Sequence, residues 1–177
     1  MKTKAPPDRR RFADERDQID YLYHKLLYWL YEREDKARAR IFAVRLAQLL
    51  SASPGHDAIF PEECRSLICE AMDNLPGAVK HRENEVRLIK RLHEISRGTR
   101  QQDHVIGLYG YDNLSDRLDL LAVLYHDSGD LDKAIATLLE SKHLCKKRGI
   151  EFDGKDILQE YLEEARFPAS GSPRKHP

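Results

Sequence analysis

LDLLAVLYHDSGDLDKAIATLLESKHL, residues 118–144, decides the fold. Leu118, Leu121, Ala122 and Tyr125 fall three, one and three residues apart, which puts them on one side of a helix. Gly129 ends that helix, and the Gly129-Asp130 turn starts a second one. Ala134, Leu138 and Ser141, with Ile135 and Leu139 beside them, form the facing stripe. The small Ala134 lets the two helix axes approach. The stretch is therefore a helical hairpin, spanning about 115–148.

The hairpin resembles the tetratricopeptide repeat, a helix-turn-helix unit of about 34 residues with a fixed ladder of small and large apolar positions. Leu118 stands where that repeat has Trp, Leu121 and Ala122 at its Leu-Gly pair, and Tyr125 at its Tyr. Ala134 takes the small position, Leu138 the bulky aromatic one, Ser141 the second Ala and Leu144 the following Leu, while Lys146 replaces the terminal Pro. The resemblance implies an interaction scaffold. Its groove-lining places fall on Asp116, Asp119, Val123, His126 and Asp127. These are not the Lys, Arg and Asn of repeats that clamp a carboxylate, so the implied partner is a basic or amphipathic protein segment.

Outward from the hairpin, the chain reads as all-α, a stack of antiparallel helical hairpins closed by a capping helix. Ile19, Leu22, Leu26, Trp29 and Leu30 mark a first helix thickened by tyrosines. Ala37, Ile41, Val44 and the cluster 47–50 offer a second apolar face, on a ladder that matches the clear repeat loosely. Glu32 stands where the turn glycine belongs, so 13–50 reads either as a hairpin or as one long helix. Pro54-Gly55 punctuates the clearest loop. Cys64, Leu67, Ile68, Ala71 and Met72 continue the core up to Pro76-Gly77, which is expected to stop that helix. Val86, Leu88, Ile89, Leu92 and Ile95 form the next stripe, after a connection that looks longer than the repeat allows.

Residues 99–114 hold His104, Tyr109 and Tyr111 between glycines, a candidate recognition loop or a short extra helix. At the C-terminal end, Asp156 and Gln159 suggest a capping arrangement for a last helix carrying Ile157, Leu158, Tyr161, Leu162 and Ala165. The expected organisation is a basic arm at 1–12, one domain at 13–167 and a tail at 168–177.

Composition narrows the function classes. Thirty basic residues balance thirty acidic ones, so the molecule as a whole exerts no long-range pull on nucleic acid or anionic lipid. Basic residues cluster locally at 80–100, including Lys80, Arg82, Arg87, Lys90, Arg91 and Arg97, which suggests a nucleic-acid regulator as a lesser alternative. No apolar run approaches the roughly 20 residues needed to cross a bilayer, and no secretory leader is expected. Cys64, Cys69 and Cys145 lack a CxxC pair and suit a reduced, cytoplasmic protein. Tyrosines and Trp29 on the first helix are compatible with a homodimer.

Phosphate-loop, GxSxG, HExxH and GxGxxG signatures are missing, and no cofactor is implied. His126-Asp127, followed by Gly129, resembles the signature of HD-domain phosphohydrolases. That alternative implies a divalent metal held by His104, His126 and Asp127, with Asp153 or Asp156 completing the set. The non-catalytic scaffold is the preferred reading.

Overall fold

A computed structural model describes residues 12–52 and 59–167. It contains α1 (Glu15–Leu27), α2 (Lys36–Ala52), α3 (Ile59–Ala71), α4 (Leu75–Ser96), α5 (Gln102–Leu108), α6 (Tyr111–Asp127), α7 (Leu131–Arg148) and α8 (Lys155–Arg166), with a π-helical turn at Tyr28–Glu32. The protein is all-α, with no strand among the described residues. Its helices pack in adjacent pairs, α1 on α2, α3 on α4 and α6 on α7, while α8 packs on α7. No described helix is long and apolar enough to cross a membrane. The expected N-terminal arm up to residue 11, the Pro54-Gly55 loop and the tail at 168–177 lie outside the described residues. The chain divides into two compact units, Met1–His56 and Asp57–Pro177.

The first unit is a hairpin. Asp14 caps α1 by accepting the Asp17 N–H at 2.9 Å; Ile19, Leu22 and Leu26 supply its buried face, which Leu30 of the π-helical turn continues. Past Leu27 the helix widens, with the Arg33 N–H reaching back five residues to the Tyr28 carbonyl at 3.0 Å. Glu34 then takes a left-handed conformation, φ 50°, and Asp35 caps α2 by accepting the Arg38 N–H at 3.0 Å. A long continuous helix is thereby excluded.

The buried face of α2 is Ala39, Ala43 and Leu46, all fully enclosed. This corrects the expected ladder: Ala37 is exposed, and Ile41 and Val44 are 49% and 46% exposed. The wide turn places the buried small residue two positions later than the repeat spacing requires. At about 100° per residue, two positions rotate the helix by roughly 200° and carry Ile41 and Val44 to the outside.

In the second unit, α3 ends at Ala71, and Asp73 takes φ 56°. Asn74 caps α4 by accepting the Gly77 N–H at 3.2 Å, which puts Pro76 in the first helical turn. Proline there sacrifices no helical hydrogen bond. Pro76 therefore opens α4 instead of closing α3, and the connection expected to be long is only residues 72–74. Two side chains expected in the core, Met72 and Ile95, are 47% and 66% exposed.

The decisive hairpin forms, although Leu139, expected on its facing stripe, is 47% exposed. Leu118, Leu121 and Ala122 on α6 and Ala134, Leu138 and Ser141 on α7 are all buried. Gly129 makes the turn at φ 82°, and Asp130 accepts the Lys133 N–H at 3.2 Å. Ala122, Ala134, Leu138 and Cys145 share one core with Phe152, Leu158 and Tyr161, which seats α8. A second core joins Ile59, Val86 and Ile89 to Leu114, Leu118 and Leu121. Helix α8 starts at Gly154 without a side-chain cap, so the expected Asp156–Gln159 arrangement gives way to an ordinary first-turn acid.

Candidate functional site on helix α6

Helix α6 is fixed in place by charge as well as by its apolar face. Arg117 donates from Nε to Glu85 Oε1 at 2.6 Å and from Nη2 to Glu63 Oε1 at 2.7 Å, tying α6 to α4 and α3. Glu85 also accepts from Arg82 Nη1 at 2.6 Å, and both of those side chains are only 1% exposed. Burial pushes the Glu85 carboxyl above its ordinary value, against the pull of Arg82 and Arg117. Arg82 Nε is buried without a hydrogen-bond partner. Such a network adds little net stability but is costly to break, about 3–5 kcal/mol when one partner is removed. The sequence pattern gives no sign of it, because the pairs join residues up to 54 positions apart.

With α6 so anchored, the five groove positions follow one another along it. Asp116 and Asp127 are exposed, while Asp119, Val123 and His126 are half-buried. Part of this strip is covered by the chain itself. His126 stacks on Tyr161 of α8, ring centroids 4.2 Å apart, and its Nε2 meets Glu164 Oε2 at 2.8 Å. Asp119 lies against the turn before α8, where a Cβ added to Gly154 would come within 3.0 Å of Asp119 Oδ2.

The upper part of the strip is acidic. Asp116, exposed as a residue, has its carboxyl partly desolvated and so lies above the usual carboxylate range, with Arg117 opposing and Asp112 and Asp153 reinforcing the shift. Asp119 is raised by burial too, with the Ser141 hydroxyl opposing and Asp116 and Asp153 reinforcing. Its Oδ1 is buried without a hydrogen-bond partner. Four carboxylates thus influence one another, and the nearby cation, Arg117, is already engaged with Glu63 and Glu85.

The other singled-out residues are dispersed. Residues 99–114 are mostly helix: His104 is exposed on α5, and only Tyr109 and Gly110 separate α5 from α6. The Tyr109 carbonyl accepts a hydrogen bond from His93 Nε2, and Tyr111 packs its ring against His93 and Arg148. The recognition loop is therefore a fixed helix junction. No group of three His, Cys, Asp or Glu able to hold a metal occurs among the described residues, so His104 is not brought to His126 and Asp127. Of the basic run on α4, Arg82 is buried and Lys90 pairs with Glu140, while Lys80, Arg87 and Arg91 are exposed.

Comparison of the chain with protein-family models, with curated proteins and with solved structures gave no match.

Proposed function

We propose that the 115–148 hairpin is a tetratricopeptide-like repeat, and that the protein is a non-catalytic interaction scaffold whose α6 strip receives a basic or amphipathic protein segment. The observation that carries this reading is the gathering of Asp112, Asp116, Asp119 and Asp153 beside an arginine committed elsewhere. A cationic side chain docking there relieves both the mutual repulsion and the loss of hydration that hold Asp116 and Asp119 high. Val123, half-buried on α6, supplies apolar contact beside the charge. Three free thiols, Cys64, Cys69 and Cys145, favour a reducing compartment such as the cytoplasm.

The test uses fluorescence anisotropy with a panel of labelled basic amphipathic peptides at low and high salt. Asp116→Lys with Asp127→Lys, both at exposed positions, is expected to remove salt-sensitive binding while circular dichroism stays unchanged. Capture that survives the double reversal removes the strip from consideration.

A further inference from the structure

A second polar recess opens where the ends of four helices meet. His93 and Arg97 come from the end of α4, Gln102 from α5, Tyr111 from the start of α6, and Lys147 and Arg148 from the end of α7; together they surround a cavity of about 320 Å³. We infer that this pocket binds the phosphate group of a phosphate monoester.

The charge balance is the first argument. Several cations elsewhere in this unit have carboxylate partners: Arg65 has Glu62, Arg82 has Glu85, Lys90 has Glu140, Arg117 has Glu63, and Lys133 has Asp130. Arg97, Lys147 and Arg148 line one cavity, and among the described residues no carboxylate lines it with them. Positive side chains at helix C-terminal ends offset the helix dipole, which accounts for their presence on the last turns. It does not account for their convergence. Lys146 serves the α7 dipole equally well and lies outside the cavity, whereas Lys147 and Arg148 line it.

Preorganisation is the second argument. The Arg148 guanidinium sits 3.7 Å from the centroid of the Tyr111 ring, and that ring packs on His93 at 4.5 Å. His93 is itself held by donating Nε2–H to the Tyr109 carbonyl and is 8% exposed. Gln102 Oε1 accepts the Gly98 N–H at 2.6 Å, which leaves its amide NH₂ as a donor. The wall thus offers a stacked guanidinium, two further cations and an amide donor. A phosphate monoester, with close to two negative charges and three acceptor oxygens, matches that set better than a single carboxylate does. Arg97, Lys147 and Arg148 gather around one recess, a shape that suits a single phosphate group.

The inference is independent of the acidic strip, and its test uses different residues. The full chain is titrated with phosphoserine and, separately, with inorganic phosphate, chloride being adjusted to hold ionic strength constant, and binding is followed by amide chemical shifts and calorimetry. Saturable one-to-one binding is expected, with the largest shifts at Gln102, Tyr111, Lys147 and Arg148. Arg148→Gln and Lys147→Gln should each weaken it about tenfold, the loss of one charge-assisted contact. Lys146→Gln, the same charge change outside the pocket, should leave it unaltered. If Arg148→Gln perturbs folding, Lys147→Gln, at an exposed position, carries the test alone. A phosphoserine peptide binding much more tightly than phosphoserine identifies a phosphorylated protein as the source, and equal affinities identify a small phosphomonoester. Binding that fails to saturate, or that Lys146→Gln weakens as much as Lys147→Gln, overturns the inference.

Discussion

The hairpins α1–α2 and α6–α7 solve one packing problem with different turns. In α6–α7, Gly129 takes the left-handed position without steric cost, and the apolar ladder after it meets the facing helix in step. In α1–α2, a π-helical turn and a left-handed Glu34 do the same job less economically, and the ladder after the turn is rotated out of the core. The turn, more than the apolar spacing, decides which face of the returning helix is buried.

The sharpest way to break this contrast is to truncate one expected ladder position in each hairpin. Leu138→Ala, at a fully buried site, should cost about 2–5 kcal/mol in urea unfolding, whereas Val44→Ala should stay within about 0.5 kcal/mol. A large loss for Val44→Ala reinstates the ladder expected from the repeat spacing.

Next come the turns themselves, where opposite signs are expected. Gly129→Ala meets no neighbouring atom and should cost about 1–2 kcal/mol through its backbone alone. Glu34→Gly relieves the same kind of strain and should stabilise the first unit by less than about 1 kcal/mol, part of the gain being offset by glycine's greater freedom when unfolded. Equal signs in thermal unfolding of the two variants show that the turns do not differ in strain. The caps should not distinguish the hairpins: Asp35→Ala and Asp130→Ala each remove one N-cap bond, at about 1 kcal/mol apiece by the same assay.

How far these features could be read beforehand follows from their range along the chain. The 115–148 hairpin, the core faces around Leu67 and Ile89 and the seat of Tyr161 were legible, because each is a local period interrupted by glycine or proline. Helix α5 was not, since its seven residues carry little apolar pattern. The face of α2 was hidden because Glu34 does what a glycine ordinarily does. Pro76 was misleading for a positional reason: beside Gly77 it resembles a stop, yet Asn74 makes it a start. Of the candidate site, the order of residues along α6 was legible. Its partial cover by α8 was not, as that depends on His126 meeting Tyr161 and Glu164 across 38 positions.

The smallest expected effect concerns Asp119, and it separates the acidic strip from the hairpin that bears it. Burial raises this carboxyl in the folded chain, so between its unfolded and folded values the folded form holds a proton that the unfolded form has lost. Stability from this group is present at low pH and declines as pH rises above about 4. Asp119→Asn should therefore raise the melting temperature at pH 7, with the difference shrinking to nothing below pH 4. A difference that persists unchanged in acid assigns the gain to packing.

The tie between Arg117, Glu85 and Glu63 has a consequence for how this protein can diverge. The three sit on separate helices, and the Arg117 guanidinium is what joins the two acids to α6, Glu85 being held by Arg82 as well. Sliding α6 by one turn displaces the guanidinium by about 5.4 Å and breaks its bonds to both carboxylates, so the trio also fixes the register in which the helices dock. Related chains are thus expected to inherit the three positions as a set. A lineage that replaces Arg117 by an apolar side chain should change Glu63 with it and can keep Glu85 on Arg82, and that joint change marks descent with this helix arrangement more reliably than overall identity does.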